Sequence, residues 1–188
     1  MCEPFDFIKD FSRLDGRQGL PEELFLAISE IMPIANVDLM VLNDDRQILL
    51  SWRDDPYSGT GWHLPGGCIR YKETMLERVQ KTALAELGME VAVKPEPLAV
   101  RDAILGKREP EPRIRAHHLA VLYECSLPES FSVEAANLGR TQKTVGFLKW
   151  FDRIPPDMLT IHEIYHDIFC RYELIENTKK ADSGKFAV

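Results

Sequence analysis

The chain has 188 residues, of which 45% are hydrophobic and 28% are charged, a composition typical of a globular protein with a substantial core. Its formal net charge of −7 argues against nonspecific binding to nucleic acid, because that polyanion attracts basic surfaces. No apolar run approaches the roughly 18 residues that a membrane-spanning helix needs, and the N-terminus lacks the apolar core of a secretory signal.

The first part of the chain predicts an extension, one helix and two strands. Residues 1–19 read as an N-terminal extension that ends in the turn-prone "LDGRQG". The segment "LPEELFLAISEIM" predicts a helix, because proline comes early and acids occupy the first turn. "ANVDLMVL" and "RQILLSW" predict two strands joined by a tight turn at "NDD".

The next segment leads into the strongest helix signal of the chain. "SWRDDPYSGTG" predicts a loop, and "WHL" predicts a short extended piece before a Pro-Gly-Gly turn at residues 65–67. Thr74 and Glu77 match a capping box, and Gly88 suits a helix stop. We therefore predict a helix from Met75 to Leu87.

Glu86 poses the main question of the sequence, because helical spacing puts it on the apolar face of this helix. The other residues on that face are Met75, Val79, Thr82 and Ala83. A carboxylate there is costly unless something pairs with it. Spacing alone leaves two interpretations: Glu86 reaches the solvent edge of the helix, or it binds a cation beside the Gly66–Gly67 backbone.

The remaining segments complete an α/β pattern. "VAVKPEPLAVRDAIL" predicts one broken strand or two, "AHHLAVLYECSL" a long central strand, and "TVGFLKWF" a further strand. "GKREPEPRIR" predicts a charged loop and "PESFSVEAANLGRTQK" an irregular stretch, whereas "PPDMLTIHEIYHDIFCRYELI" predicts a closing helix. We expect one α/β domain over residues 20–175, with a mixed β-sheet packed between helices, and a polar tail over residues 176–188.

The segment "GGCIRYKETMLERVQKTALAELGM" resembles a Nudix box, G-x5-E-x7-R-E-U-x-E-E-x-G-U with U aliphatic. The matching residues are Gly67, Glu73, Glu86, Gly88 and Met89, and the departures are Lys81, Thr82 and Ala85. The "AELG" ending, "VDLMVL" and "QILLSWR" resemble the GDP-mannose mannosyl hydrolase branch of that superfamily. The resemblance covers about residues 20–175 and implies a Nudix-type α/β/α sandwich.

The resemblance also implies residue roles and ligands. The Gly66 carbonyl and Glu86 would hold Mg²⁺, with Mn²⁺ as the alternative, and Arg53 would clamp a diphosphate. Asp38 would accept hydrogen bonds from the substrate. Lys81 would pair with Glu73, and that pair, with Gly67 and Gly88, would keep the box in shape. The branch is commonly dimeric, so we expect a homodimer that binds a nucleotide sugar and neither nucleic acid nor membrane.

Three departures from the branch bear on activity. Cys68 stands where the family has an arginine on the diphosphate, and Lys81 keeps the charge of the box arginine without its fork. The branch has Gln-His in a loop before the late strand, as metal ligand and general base. Here Gln142 is the candidate replacement ligand, and Lys143 follows it.

Other residues offer substitutes for the missing groups. His117 and His118 lie on a predicted strand and alternate faces, so one of them, taken as His118, is either a core histidine or a substrate contact. The cations of the charged loop either replace the missing arginine or form a solvated surface. They are Lys107, Arg108, Arg113 and Arg115.

Two rival functions remain open on these residues. "HEIYH" at residues 162–166 matches a zinc-protease pattern, but no obvious third ligand follows it and the helix is explained by amphipathic packing. The stronger rival to a hydrolase is a Nudix-like domain that binds a nucleotide without turnover. Among hydrolases, attack on phosphorus is the alternative to release of the sugar. The four cysteines show no metal or disulfide spacing, so we expect reduced thiols and a cytoplasmic protein.

Overall fold

The computed structural model describes residues 14–105 and 117–175. The strands are β1 Ile34–Val41, β2 Ile48–Asp55, β3 Gly59–His63, β4 Gly66–Cys68, β5 Ala92–Val93, β6 Ala99–Ile104, β7 His117–Ser126 and β8 Leu148–Phe151. The helices are α1 Glu22–Ser29, α2 Met75–Leu87, α3 Val133–Ala136 and α4 His166–Arg171, with a 3₁₀ helix at Thr160–Tyr165. None of the described helices is long and apolar enough to cross a membrane.

The strands divide between two sheets, and the predicted α/β class is confirmed. The first sheet is mixed: β1 runs parallel to β7 and antiparallel to β4, and both β5 and β6 pair antiparallel with β7. The second sheet is antiparallel in the order β3-β2-β8. β7 is the long central strand that the sequence predicted, because it pairs with three neighbours.

The tight turn between β1 and β2 is confirmed, but the two strands do not form a ladder. The Asn43 N–H bonds to the Gln47 carbonyl (3.2 Å), and the only pairing beyond it is one bridge between Leu42 and Ile48. Both strands carry runs of buried residues, five in a row at the end of β1 and at the start of β2. Both faces of each strand are therefore buried, and the core lies on either side of them. β1 belongs to the first sheet and β2 to the second.

Two predictions about residues 51–67 were wrong. The predicted loop is a hairpin, because β2 continues to Asp55 and the Asp55 side chain accepts from the N–H groups of Tyr57 (2.9 Å) and Ser58 (2.7 Å) to turn the chain. The predicted Pro-Gly-Gly turn is extended backbone, since Gly66 and Gly67 belong to β4. β4 places Gly66 opposite Asp38 and Gly67 opposite Val37.

Helix α2 has the predicted bounds and caps. The Thr74 hydroxyl accepts from the Glu77 N–H (3.2 Å), and the Glu77 carboxylate accepts from the Thr74 N–H (2.7 Å). Gly88 ends the helix with a φ of 78°. The buried face of α2 packs on β1 and β7 through Val79, Ala83 and Leu87.

The C-terminal part is less regular than predicted. β8 covers only residues 148–151 of the predicted strand, and the closing helix is a 3₁₀ helix followed by six residues of α4. The segment before it pairs with β3 instead: the Trp62 N–H donates to the Asp157 carbonyl (3.0 Å), and the Leu159 N–H donates to the Trp62 carbonyl (2.8 Å). Gly61 permits this approach, because a Cβ there would lie 2.4 Å from the Asp157 carbonyl oxygen. The charged loop at residues 107–115 lies outside the described residues.

Candidate active site

A cavity of about 550 Å³ opens along β1, and its size suits a small organic ligand. The side chains of Ile34, Asn36 and Asp38 lie on the cavity face of β1. One group of polar lining residues collects around the Asp38 end, next to Gly66 of β4. They are Asn36, Asp38, Arg53, His63 and His162.

Asp38 is a buried carboxylate with two donors, and only 6% of its surface is exposed. Tyr165 donates its hydroxyl to Oδ2 (2.7 Å), and the Asn36 amide donates to Oδ1 (2.8 Å). Burial raises the pKa of Asp38 to about 6, against the effect of these two hydrogen bonds and of Arg53. Gly66 lies close to the same carboxylate: a Cβ at this position would be only 2.7 Å from Oδ1, so a larger residue would not fit.

Glu86 points back from the end of α2 to the glycine strand. Its Oε1 accepts from the Gly66 N–H (3.1 Å), and 22% of its side chain is exposed. Burial raises the pKa of Glu86 to about 7; the Gly66 N–H and Arg53 oppose this rise, and the charge of Asp38 adds to it. Glu86 therefore does not extend into solvent: the tertiary structure directs its carboxylate to the Gly66 backbone.

Two buried histidines complete this end of the cavity. His63 Nε2 lies 3.9 Å from Glu86 Oε2, and the rings of His63 and His162 stack with centroids 6.4 Å apart. The Leu64 N–H donates to His162 Nε2 (3.3 Å), so the other nitrogen carries the proton of the neutral ring. Burial, with Arg53 nearby, lowers the pKa of His162 to about 3 and that of His63 well below its usual value. Burial thus disfavours the charged form of both rings.

Arg53 is the cation of this cluster. It ends the buried part of β2, lines the cavity and lies 3.6 Å from Asp55 through its Nε. Its charge lowers the pKa of Asp38, Glu86 and both histidines. A partly exposed guanidinium that lines the cavity is suited to bind the paired oxygens of a phosphate group.

Glu73 joins the loop after β4 to helix α2 through the predicted partner, Lys81, and through Arg78, which was not predicted. Lys81 Nζ lies 2.8 Å from Glu73 Oε1, and Arg78 grips both carboxylate oxygens, at 2.6 Å and 2.8 Å. Burial acts to raise the pKa of Glu73, but the bonds from Lys81, the Arg70 N–H and Arg78 outweigh it and hold the pKa at about 2. Arg78, about one helical turn before Lys81, thus supplies the bidentate guanidinium that position 81 lacks.

The structure brings some of the predicted site residues together and separates others. Asp38, Arg53, Gly66, Gly67 and His118 line the cavity, and Glu86 bonds to its wall. Lys81 contacts Glu73 and does not line it. Gln142 and Lys143 are exposed in a turn and do not line it either.

The zinc-protease reading of "HEIYH" finds no support in the geometry. His162 is buried at the cavity in the 3₁₀ helix, whereas His166 is exposed at the start of α4 and contacts Cys170 (3.5 Å). Within residues 14–105 and 117–175, no three His, Cys, Asp or Glu side chains are grouped to hold a metal ion. None of the three described cysteines forms a disulfide.

Sequence reasoning missed His63, His162 and Arg78 as members of the site. His63 stood inside "WHLPGG" with no motif of its own, and His162 was assigned to amphipathic packing. One signal was available for Arg78. It follows Glu73 by five residues and precedes Lys81 by about one helical turn, so Arg78 and Lys81 lie on the same side of helix α2.

The oxygen donors at the Asp38 end suit a hard divalent cation. Magnesium is usually held by one or two carboxylates together with substrate phosphates and water. Glu86, the backbone of Gly66 and a raised pKa at both neighbouring carboxyls match that pattern, because a cation would relieve the cost of ionising them. Thr82, which replaces an acid of the box, faces Gly67 with a buried hydroxyl that bonds to none of the described residues.

Residues 32–165 match the family model of the NUDIX domain. A curated protein of Haloferax volcanii, the low-salt glycan biosynthesis protein Agl8, is 26% identical over 110 residues, which is 58% of this chain and 69% of that protein.

Solved structures show the same fold. The MutT protein from Methanosarcina mazei Go1 aligns with a TM-score of 0.54 and 16% identity, over 79% of this chain and 99% of that one. The MutT NUDIX hydrolase from Burkholderia pseudomallei aligns with a TM-score of 0.53 and 23% identity, over 72% and 97%.

Proposed function

This chain belongs to the NUDIX family, and from that premise we propose that it is a magnesium-dependent hydrolase of a nucleotide sugar. In this proposal it releases the sugar from the nucleoside diphosphate. The observation that carries the proposal is the Glu86 carboxylate, which bonds to the Gly66 N–H at one end of a ligand-sized cavity, with Arg53 nearby.

The polar end would bind the diphosphate. Glu86 and the Gly66 carbonyl would hold the cation, which when bound neutralises the diphosphate and improves it as a leaving group. Arg53 would bind the phosphate oxygens, since its guanidinium fits them in pairs. Lys81 and Gln142 take no part in this assignment, because neither lines the cavity.

The sugar would lie among the buried polar groups. Asp38, aligned by Tyr165 and Asn36, offers a carboxylate to hydroxyl donors. His63 Nε2 lies 3.9 Å from Glu86 Oε2, and we assign it the proton of the attacking water, with the lowered pKa of His63 limiting its strength as a base. The similarity to a glycan biosynthesis protein supports a substrate that carries a sugar.

Product analysis tests this proposal directly. The protein is incubated with Mg²⁺ and a panel of nucleotide sugars that includes GDP-mannose, and the products are separated. Nucleoside diphosphate and free sugar are expected. Nucleoside monophosphate and sugar phosphate would show attack on phosphorus instead. Absence of products, together with thermal stabilisation by the nucleotides, would favour a binding domain.

Glu86→Gln tests the residue that carries the proposal. Loss of a carboxylate that positions the cation removes several kcal/mol of transition-state stabilisation, so turnover should fall about 100-fold or more. Glu90→Gln is the matched control, because Glu90 is exposed just past the same helix. Equal turnover of Glu86→Gln and the control would contradict the assignment.

A further inference from the structure

We propose that the end of the cavity remote from Glu86 is a nucleobase subsite, closed by a segment that precedes the NUDIX match. This segment, residues 14–29, is called the N-terminal wall below, and it contributes Gly16, Gly19, Leu20 and Phe25 to the cavity lining. The inference rests on the proposed function and adds which part of the substrate lies where. The family match begins at residue 32, so the wall lies outside it.

Strand β1 sets the direction of the cavity. Its lining residues Ile34, Asn36 and Asp38 alternate along one face, and at about 3.3 Å per residue they span roughly 13 Å. Asp38 lies opposite Gly66, at the Glu86 end. Ile34 lies opposite His118 of β7, which is therefore at the other end.

The surroundings of Ile34 are mostly apolar. Ala103 of β6 lies opposite His118, and the Ile69 N–H bonds to the Ala35 carbonyl (2.9 Å), so both lie at this end, and both line the cavity. Arg70 follows Ile69 directly and also lines the cavity. Apolar side chains and the planar groups of Arg70 and His118 suit a flat ring better than a sugar, whose many hydroxyl groups each need a partner.

The N-terminal wall packs on the loop after β4. A Cβ on Gly16 would lie 2.9 Å from the Tyr71 Cβ, and one on Gly19 would lie 3.5 Å from the Arg70 guanidinium. Gly19 has a φ of +95°, a conformation that favours glycine. These contacts place Leu20, which follows Gly19, at the Ile34 end near Arg70, and Phe25 of α1 also lines the cavity.

The combination of groups fits a flat ring with polar edges. A nucleobase has two apolar faces that pack on aliphatic and aromatic side chains, and it stacks on an arginine plane. The two carboxylates, Asp38 and Glu86, are at the other end, where the diphosphate and sugar would lie. The cavity thus separates the two chemical halves of a nucleotide sugar along β1.

The test compares a nucleotide sugar with the matching sugar 1-diphosphate, which lacks the nucleoside. The measured quantity is the ratio of kcat/KM for the two substrates. Phe25→Ala and Leu20→Ala should each lower this ratio about 10-fold, through a rise in KM for the nucleotide sugar, because one base contact is worth that much. Ile31→Ala is the control: Ile31 is 82% exposed just after α1, does not line the cavity, and should leave the ratio unchanged.

A binding measurement separates this inference from the proposed function. Nucleoside monophosphates are titrated without metal, and the methyl NMR signals of Leu20 and Ile34 are followed. We expect the nucleotides to shift the Ile34 methyl signals of the wild type and not those of a folded Leu20→Ala variant. That result would support the base subsite even if no sugar is released. An unchanged kcat/KM ratio in both wall variants, or methyl signals that do not respond to any nucleotide, would overturn it.

Discussion

The hydrogen bonds to the Glu73 carboxylate predict how much the fold loses in stability when this residue is replaced. Its carboxylate is 4% exposed and bonds to Arg78, Lys81 and the Arg70 N–H. The folded pKa of about 2, against an ordinary value of 4.5, corresponds to roughly 3 kcal/mol at 1.36 kcal/mol per unit. Lys81 is 58% exposed and solvent screens its share, so we expect Glu73→Gln to cost about 2 kcal/mol at pH 7.

The pH dependence gives the sharper assay. A depressed pKa stabilises the fold above the ordinary value, and this contribution is lost as the pH falls from about 4.5 to about 2. The free energy of unfolding in urea should therefore differ between wild type and Glu73→Gln at pH 7, and the two should converge toward pH 2. Thermal unfolding at pH 7 should show a loss of about 4–8 °C. A difference that stays constant with pH, or one no larger than for the exposed Glu90→Gln, would refute the reasoning.

Two further predictions concern the polar end of the cavity. Because the pKa of Glu86 is raised, the free energy of unfolding without metal should fall as the pH rises from about 4.5 to about 7. Glu86→Gln should make this decline less steep. The same slope in both proteins would contradict the raised pKa. His162→Ala leaves the Leu64 N–H without its acceptor and opens a cavity, which should cost about 2–4 kcal/mol in urea unfolding. His162→Gln retains an acceptor and should lose less than half of that, so equal losses would show that the hydrogen bond is unimportant.

Local signals determined the bounds of helix α2. Its bounds depend on a capping box at Thr74 and a left-handed glycine at position 88, both of which act within a few residues. The spacing from Gly67 to Glu86 carried the family resemblance for the same reason. β7 was predictable as central, because a long apolar strand must be covered on both sides.

The division of the strands between two sheets was not predictable from the hydrophobic pattern. β1 and β2 are adjacent in sequence and joined by a tight turn, which is also the pattern of a hairpin. Both are buried on both faces, and only the packing partners of each face decide which strands pair. The Pro-Gly-Gly segment was read as a turn for a related reason: glycine permits both a turn and an extended strand that lies close to a carboxylate.

The sequence by itself determined the α/β class, the capped helix and the family, because these depend on periodicity, short-range hydrogen bonds and motif spacing. The tertiary structure decided which side chains form the site. Leu64 and His162 are 98 residues apart and meet only because the chain around Asp157 pairs with β3. The direction of the Glu86 carboxylate likewise depends on the Gly66 N–H, a backbone group without a residue signature. Long-range contacts of this kind are set by the packing of whole elements, which a local pattern does not encode.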